Sequence, residues 1–159
     1  MKFSTGLAAA ALASAFIIMG TTTASASVGL DALSLGGVGY GSSASYVRSI
    51  YGSPREIERE HESGYNGVLT EYEYGDSVSI YFDKGIAKHV KVSANNGWST
   101  PAGVAVGMDA SVLRKVYGEP DYVQGDEYIY RVNGNKNLTL VFEIENNRID
   151  EIEAGWRLD

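Results

Sequence analysis

The sequence predicts an α+β fold: two tandem helix-strand-strand-strand repeats forming an antiparallel sheet, with short helices on one face. Three observations predict it. First, one stretch is written twice. Residues 37–54 read GVGYGSSASYVRSIYGSP and residues 103–120 read GVAVGMDASVLRKVYGEP, aligned without a gap at an offset of 66. Nine of the 18 pairs are identical, and a duplicated unit is an architectural signal before it is a functional one. Second, each copy is followed by segments of alternating apolar and polar residues separated by turn residues, the pattern of half-buried strands. Third, both runs of strands close on Gly-Trp, at Gly97-Trp98 and Gly155-Trp156.

In chain order, residues 1–26 read as a secretory signal peptide. Lys2 precedes an apolar run over 7–19, and Ala24-Ser25-Ala26 supplies the small residues of a cleavage site. The run is shorter than the ~20 residues a bilayer core requires, so cleavage after Ala26 is expected, with no stable membrane insertion afterwards. Residues 27–42 are glycine-rich and read as a flexible lead-in, with Leu30, Leu33 and Leu35 docking on the core. Gly36-Gly37-Val38-Gly39-Tyr40-Gly41 lacks the Lys of a phosphate-binding loop.

The first repeat spans 43–98 and the second 103–159, together one compact domain. Ser43 is placed to cap a helix whose stripe is Val47, Ile50 and Tyr51, ended by Gly52 and Pro54. In the second copy Asp109 caps, Leu113, Val116 and Tyr117 form the stripe, and Gly118 and Pro120 stop it. The charged segment 55–67 reads as a surface loop, and 121–126 as its shorter counterpart. Strands are expected at 68–74, 77–82 and 86–93, then at 127–132, 137–144 and 148–154. Asp83-Lys84-Gly85 and Glu145-Asn146-Asn147 are expected hairpin turns.

Charge and composition remove several functions. The net charge of −7, or −8 once Lys2 leaves with the signal, opposes nucleic-acid binding and attraction to an anionic membrane surface. With no cysteine there is no thiol nucleophile, thiolate metal site, lipid-anchored cysteine or disulfide. His61 and His89 are the two histidines, and neither sits in a nucleophile motif. Arg59-Glu60-His61-Glu62 lacks the second histidine of a zinc-protease helix. No catalytic residue, cofactor or metal site is expected.

Alternation supplies the binding candidates instead. If Val78, Ile80 and Phe82 point inward, then Ser77, Ser79 and Tyr81 point outward, joined by Ala87, His89 and Lys91. In the second repeat Glu143, Glu145, Glu151 and Glu153 point outward. One half of the open face is therefore expected to be neutral to basic and aromatic, and the other strongly acidic. Tyr72, Tyr74, Tyr128 and Tyr130 recur at matched places in the first strands. Tyrosine buries area at little entropic cost, so these four join the binding candidates, with packing beneath the helices as the alternative. The four glutamates also raise the question of calcium, although a flat sheet spreads oxygens that a cage must converge.

The helix motif resembles a known family. Gly107-Met108-Asp109-Ala110-Ser111-Val112, followed by Tyr117-Gly118-Glu119-Pro120, is similar to the pattern of the small outer-membrane assembly lipoproteins of the SmpA/OmlA (BamE-like) family. The tandem arrangement resembles the β-lactamase-inhibitor-protein (BLIP)-like architecture, which implies a concave sheet that binds a partner protein. The acylated cysteine of the first and the disulfides of the second are missing here.

The sequence is thus read as a secreted, non-enzymatic protein-binding module, located outside the cell or in the periplasm and envelope. Its open sheet face would engage a protein partner, one form being inhibition of a secreted hydrolase. A structural envelope-assembly component and an uncharacterised hydrolase are the alternatives.

Overall fold

The computed structural model describes residues 28–158. The expected signal peptide lies outside the described residues. The protein is α+β, with two helices and a mainly antiparallel set of strands among the described residues. A short 3-10 turn at Leu30–Ala32 leads into a small hairpin, β1 (Ser34–Leu35) and β2 (Val38–Gly39). Then come α1 (Ala44–Tyr51), β3 (Glu56–Glu60), β4 (Leu69–Tyr74), β5 (Val78–Asp83) and β6 (Ile86–Val92). The second half comprises α2 (Ser111–Tyr117), β7 (Tyr122–Gln124), β8 (Glu127–Val132), β9 (Asn135–Glu145) and β10 (Arg148–Trp156). Strands β3 to β10 form one eight-stranded sheet in the order β3-β4-β5-β6-β10-β9-β8-β7. The halves join through the antiparallel β6–β10 pair, with Lys91 opposite Glu153 and His89 opposite Gly155.

Two expectations need correction. The helix-strand-strand-strand layout undercounts: each helix is followed by four strands, because both presumed loops carry an edge strand. Glu56-Ile57-Glu58-Arg59-Glu60 alternates like a strand, but its charges are those of an exposed edge, where they discourage pairing with another sheet. The second concerns residues 28–42, which include a two-stranded hairpin and in which Leu33 and Leu35 dock as expected but Leu30 does not. Leu33, Leu35 and Val38 are at most 1% exposed and sit in the core, while Leu30 stays 52% exposed.

Each helix begins and ends by local chemistry. The Ser43 hydroxyl accepts from the Tyr46 amide at 3.1 Å. Asp109 Oδ1 accepts from the Ser111 amide at 2.9 Å, and hydrogen bonding first to the Ser111 side chain and then to this amide holds the Asp109 carboxyl below its ordinary value. Gly52 and Gly118 adopt φ 76° and 78°, and their amides donate to the carbonyls of Arg48 and Arg114. Both helix starts are pinned to a hairpin turn. The Ala44 amide donates to the Gly85 carbonyl, and the Ala110 amide to the Asn147 carbonyl. Those turns need left-handed residues, supplied by Lys84-Gly85 and Asn146-Asn147.

Both helices and the β1–β2 hairpin pack on one sheet face, over Val78, Ile80, Phe82, Val90, Leu140, Phe142 and Ile152. Val47 and Leu113 are fully buried, each stabilising by roughly 1.5–3 kcal/mol. The expected middle stripe residues stay out: Ile50 is 47% and Val116 41% exposed. A helix of seven or eight residues lying on a sheet buries its i and i+4 positions, and i+3 falls on the rim.

Candidate functional site

Alternation from these buried positions defines the opposite sheet face. Three rows of residues run across the strands there. Ser79, Lys91 and Glu153 lie in one row, and Tyr81, His89 and Gly155 in the next. Glu151, Glu143 and Glu127 form the third. The structure thus brings together Tyr81, His89, Lys91, Glu143, Glu151 and Glu153. Glu145 lies on the same side of β9 but at the exposed hairpin end, opposite Arg148. Ala87 is not on this face: it is fully buried in the core. A register shift after Tyr81 pairs Phe82 with Ala87, which turns Ala87 inward.

At the centre, Lys91 Nζ lies 2.7 Å from Glu151 Oε1 and 3.7 Å from Glu153 Oε1. Burial opposes the Lys91 charge, but the hydrogen bond and charge of Glu151 prevail and raise its pKa. Glu151 is also raised, because burial outweighs the same lysine. The two tendencies conflict, one favouring the charged pair and the other the neutral acid. The 2.7 Å separation of a charge-assisted bond decides for an ion pair at neutral pH.

His89 is 3% exposed. Its Nδ1 lies 2.9 Å from the Trp156 carbonyl, which only accepts, so this partner assigns a proton to Nδ1. Nε2 then faces Glu153 Oε2 at 3.6 Å. Tyr81 meets the imidazole edge-on at 5.5 Å. Burial, then Glu71 beside it, pushes the Tyr81 hydroxyl far above its ordinary value. A shallow cleft of about 250 Å³ opens between Tyr81, His89, Lys91, Glu153, Glu62 and Leu158.

The face is not wholly open. Residues 63–65 fold against the end of β10: the Gly64 amide donates to the Leu158 carbonyl at 2.8 Å, and Trp156 Nε1 donates to the Gly64 carbonyl at 2.8 Å. Tyr65 packs edge-on against Trp156 and donates to Asp83. This strap closes one side of the cleft.

The four matched tyrosines lie on the helix side instead. Tyr72 is 8% exposed and takes a hydrogen bond from Arg48 at 2.6 Å. Tyr130 is fully buried, while Tyr74 and Tyr128 are partly buried against the core. The Tyr74 hydroxyl donates to the Gly52 carbonyl and that of Tyr130 to the Gly118 carbonyl, each at 3.1 Å. Tyr74 and Tyr130 thus satisfy backbone groups at the helix ends, and none of the four lies on the opposite sheet face.

Sequence reasoning missed the acidic edge. Glu58 and Glu60 of β3 and Glu71 of β4 bring carboxylate oxygens within 4.8 Å of one another. Burial, then hydrogen bonding to Glu62 and the Glu71 charge, raises the Glu60 pKa. Such hard oxygens suit a calcium or magnesium ion chemically. The signal was present in the alternating glutamates of residues 56–60, which place three carboxylates on one strand face. At the far end Arg131, Arg157 and Tyr122 were also missed. The expected division of charge is therefore revised: the first half supplies the most acidic edge, and the second half ends in two arginines.

No family model and no curated protein matches the chain. Among solved structures it is similar to an extracellular protein containing an SCP domain from Bacillus anthracis, with 8% identity and a TM-score of 0.53. That match covers 73% of this chain and 43% of the other. A cysteine-rich secretory protein from Staphylococcus aureus aligns at 9% identity and a TM-score of 0.44, over 74% and 43%. The chain therefore spans less than half the length of these proteins, and the first likeness is one of fold. It overturns the resemblance to the SmpA/OmlA lipoproteins and to the BLIP-like architecture, because the fold it matches is that of an extracellular protein containing an SCP domain. The Gly-x-Pro helix ending that suggested the lipoproteins is a general way to stop a helix.

Proposed function

We propose that this chain is a secreted, non-enzymatic module that binds a protein partner through the sheet face opposite its helices. The observation that carries this reading is the face itself. Tyr81, His89 and Lys91 are held at its centre by neighbours on three strands, inside a rim of carboxylates. An aromatic and cationic centre with a charged rim is the anatomy of a recognition surface. The signal-like leader supports export, and the similar Bacillus anthracis protein is extracellular by its description. No helix among the described residues is long and apolar enough to cross a membrane. The non-enzymatic reading draws on His89, whose Nδ1 is held by a backbone carbonyl and whose Nε2 faces a carboxylate, not a nucleophile.

The two halves are, on this reading, copies of one unit built from a helix and four strands. Matched helix stops, matched bonds to hairpin turns and matched tyrosine hydroxyls support it.

A photo-crosslinker at Ser79 should capture one protein in fixed ratio from culture fluid or envelope extract. Glu58→Lys with Glu143→Lys should reduce capture at least about tenfold while leaving the melting temperature nearly unchanged. Capture indifferent to both charges would sink the reading. A captured hydrolase would specify inhibition, and a membrane complex would favour the assembly role.

A further inference from the structure

Arg131 projects from β8 onto the same face, five strands from the acidic edge at β4. Its backbone amide donates to Asp121 Oδ2 at 2.6 Å, which anchors its start. Its guanidinium lies over the ring of Tyr122, with Cζ 4.8 Å from the centroid. Tyr122 is braced in turn, because Arg157 Nη1 reaches its hydroxyl at 3.4 Å. Arg157 is itself paired to Glu127 at 2.9 Å. Arg131 differs from the other cations of this face. Lys91 has Glu151 and Arg157 has Glu127, whereas Arg131 has no carboxylate within ion-pair distance among the described residues. Its Nε is buried and makes no hydrogen bond. The chain carries 20 acidic and 13 basic residues, so a shortage of carboxylates does not explain this.

The physical consequence is a partly buried cation with its plane fixed. Stacking on tyrosine orients a guanidinium while leaving its outer N–H edge free, and that edge matches two carboxylate oxygens. A donor without an acceptor leaves part of the guanidinium's hydrogen-bonding capacity unmet, which favours an incoming anion.

We propose that Arg131, held on Tyr122, is a carboxylate-recognition point on this face. The carboxylate can come from a partner's acidic side chain or chain end, or from a small free acid. The inference deepens the partner-binding reading and rests on the same face. It also orients the partner, whose acidic group lies over β8 and whose basic groups lie over Glu58, Glu60 and Glu71.

The test uses the folded protein and follows the Arg131 Nε–H and Tyr122 ring resonances by NMR. Acetate, inorganic phosphate, and a short peptide with a free or an amidated C-terminus are added at constant ionic strength. Acetate and the free-acid peptide should give saturable shifts at Arg131, with the amidated peptide at least about tenfold weaker. Arg131→Lys, which keeps the charge but loses the fork, should weaken acetate about tenfold. Arg131→Gln should abolish the shifts, and an unchanged spectrum elsewhere would show that the variant is folded. A shift with phosphate and none with acetate or the free-acid peptide, or equal acetate binding by Arg131→Lys, overturns the assignment. Saturable peptide binding without acetate binding points to the chain-end source, and the reverse to a free acid. If neither acetate nor the free-acid peptide binds while Glu58→Lys with Glu143→Lys still lowers partner capture, this inference falls and the partner-binding reading stands.

Discussion

In the first half, the Tyr74 hydroxyl holds the Gly52 carbonyl at the end of α1. In the second half, the Tyr130 hydroxyl holds the Gly118 carbonyl at the end of α2, at the same 3.1 Å. The edge strands that follow these helices do not match. One is Glu-Ile-Glu-Arg-Glu, whose glutamates lie with Glu71 and Glu73 on the open face. The other is Tyr-Val-Gln, which places Tyr122 beneath Arg131. The halves agree where backbone groups must be satisfied and diverge where side chains meet solvent. Shared residues therefore mark the scaffold, and differences mark the surface available for recognition.

The sharpest way to break the comparison uses the two glycines before tryptophan. A Cβ on Gly155 would lie 2.2 Å from the Lys88 carbonyl oxygen, across the seam of the sheet, and Gly155 has φ 133°. At Gly97 a Cβ meets nothing within 4 Å, and only the positive φ of 90° resists it. Gly155→Ala should cost about 3 kcal/mol or more, and Gly97→Ala about 1 kcal/mol, measured by urea unfolding. Equal costs would mean that the seam yields as readily as a surface turn.

A contrast of similar size is expected between the tyrosines. Tyr130 is fully buried against Tyr117 and Phe142, so Tyr130→Ala should cost about 3–5 kcal/mol. Tyr74 is partly exposed, and Tyr74→Ala should cost about 1–2 kcal/mol. The Phe variants remove only the hydroxyl and should each cost about 1 kcal/mol, which tests whether the two end bonds are equivalent.

The smallest effect concerns pH. Glu60 in the first half and Glu143 in the second both have pKa values raised above 4.5. Burial is the main cause, followed by neighbouring carboxyls: Glu62 and Glu71 for Glu60, Glu151 and Asp126 for Glu143. A raised folded pKa means that the native state binds more protons than the unfolded chain. Stability from these groups is full below 4.5 and is lost as pH rises through each raised value. Glu60→Gln and Glu143→Gln should each flatten that fall and slightly stabilise the protein at neutral pH, read from melting temperature between pH 4 and 8. A destabilised Glu143→Gln would show that Glu143 contributes favourable contacts as an ion.

Much of the scaffold was legible in the sequence because it is built from short-range rules. Ser43, Gly52, Gly118 and the turn at Lys84-Gly85 act within three or four residues, so spacing alone reveals them. The central strands likewise follow from period-two alternation. The edge strands were hidden because a charged edge and a charged loop have the same composition. The bulge at Tyr81 was hidden because one extra residue turns Ala87 inward without any mark in the chain. At the candidate site, Tyr81, His89, Lys91 and the glutamates of β9 and β10 were placed on one face by alternation. Arg131 was passed over because the absence of an ion-pair partner among the described residues depends on what surrounds it, which no local pattern encodes.

By itself, then, the sequence determined the α+β class, the matched helix ends and which faces of the central strands are polar. Each of these depends on residues that are neighbours in the chain. Only the tertiary structure decided that β6 pairs with β10, setting Lys91 beside Glu151 and Glu153, and that the tyrosines face the helices. It likewise placed acidic and arginine ends across one sheet. Those outcomes follow from pairing between strands some 60 residues apart, where backbone hydrogen bonding is indifferent to the side chains it aligns.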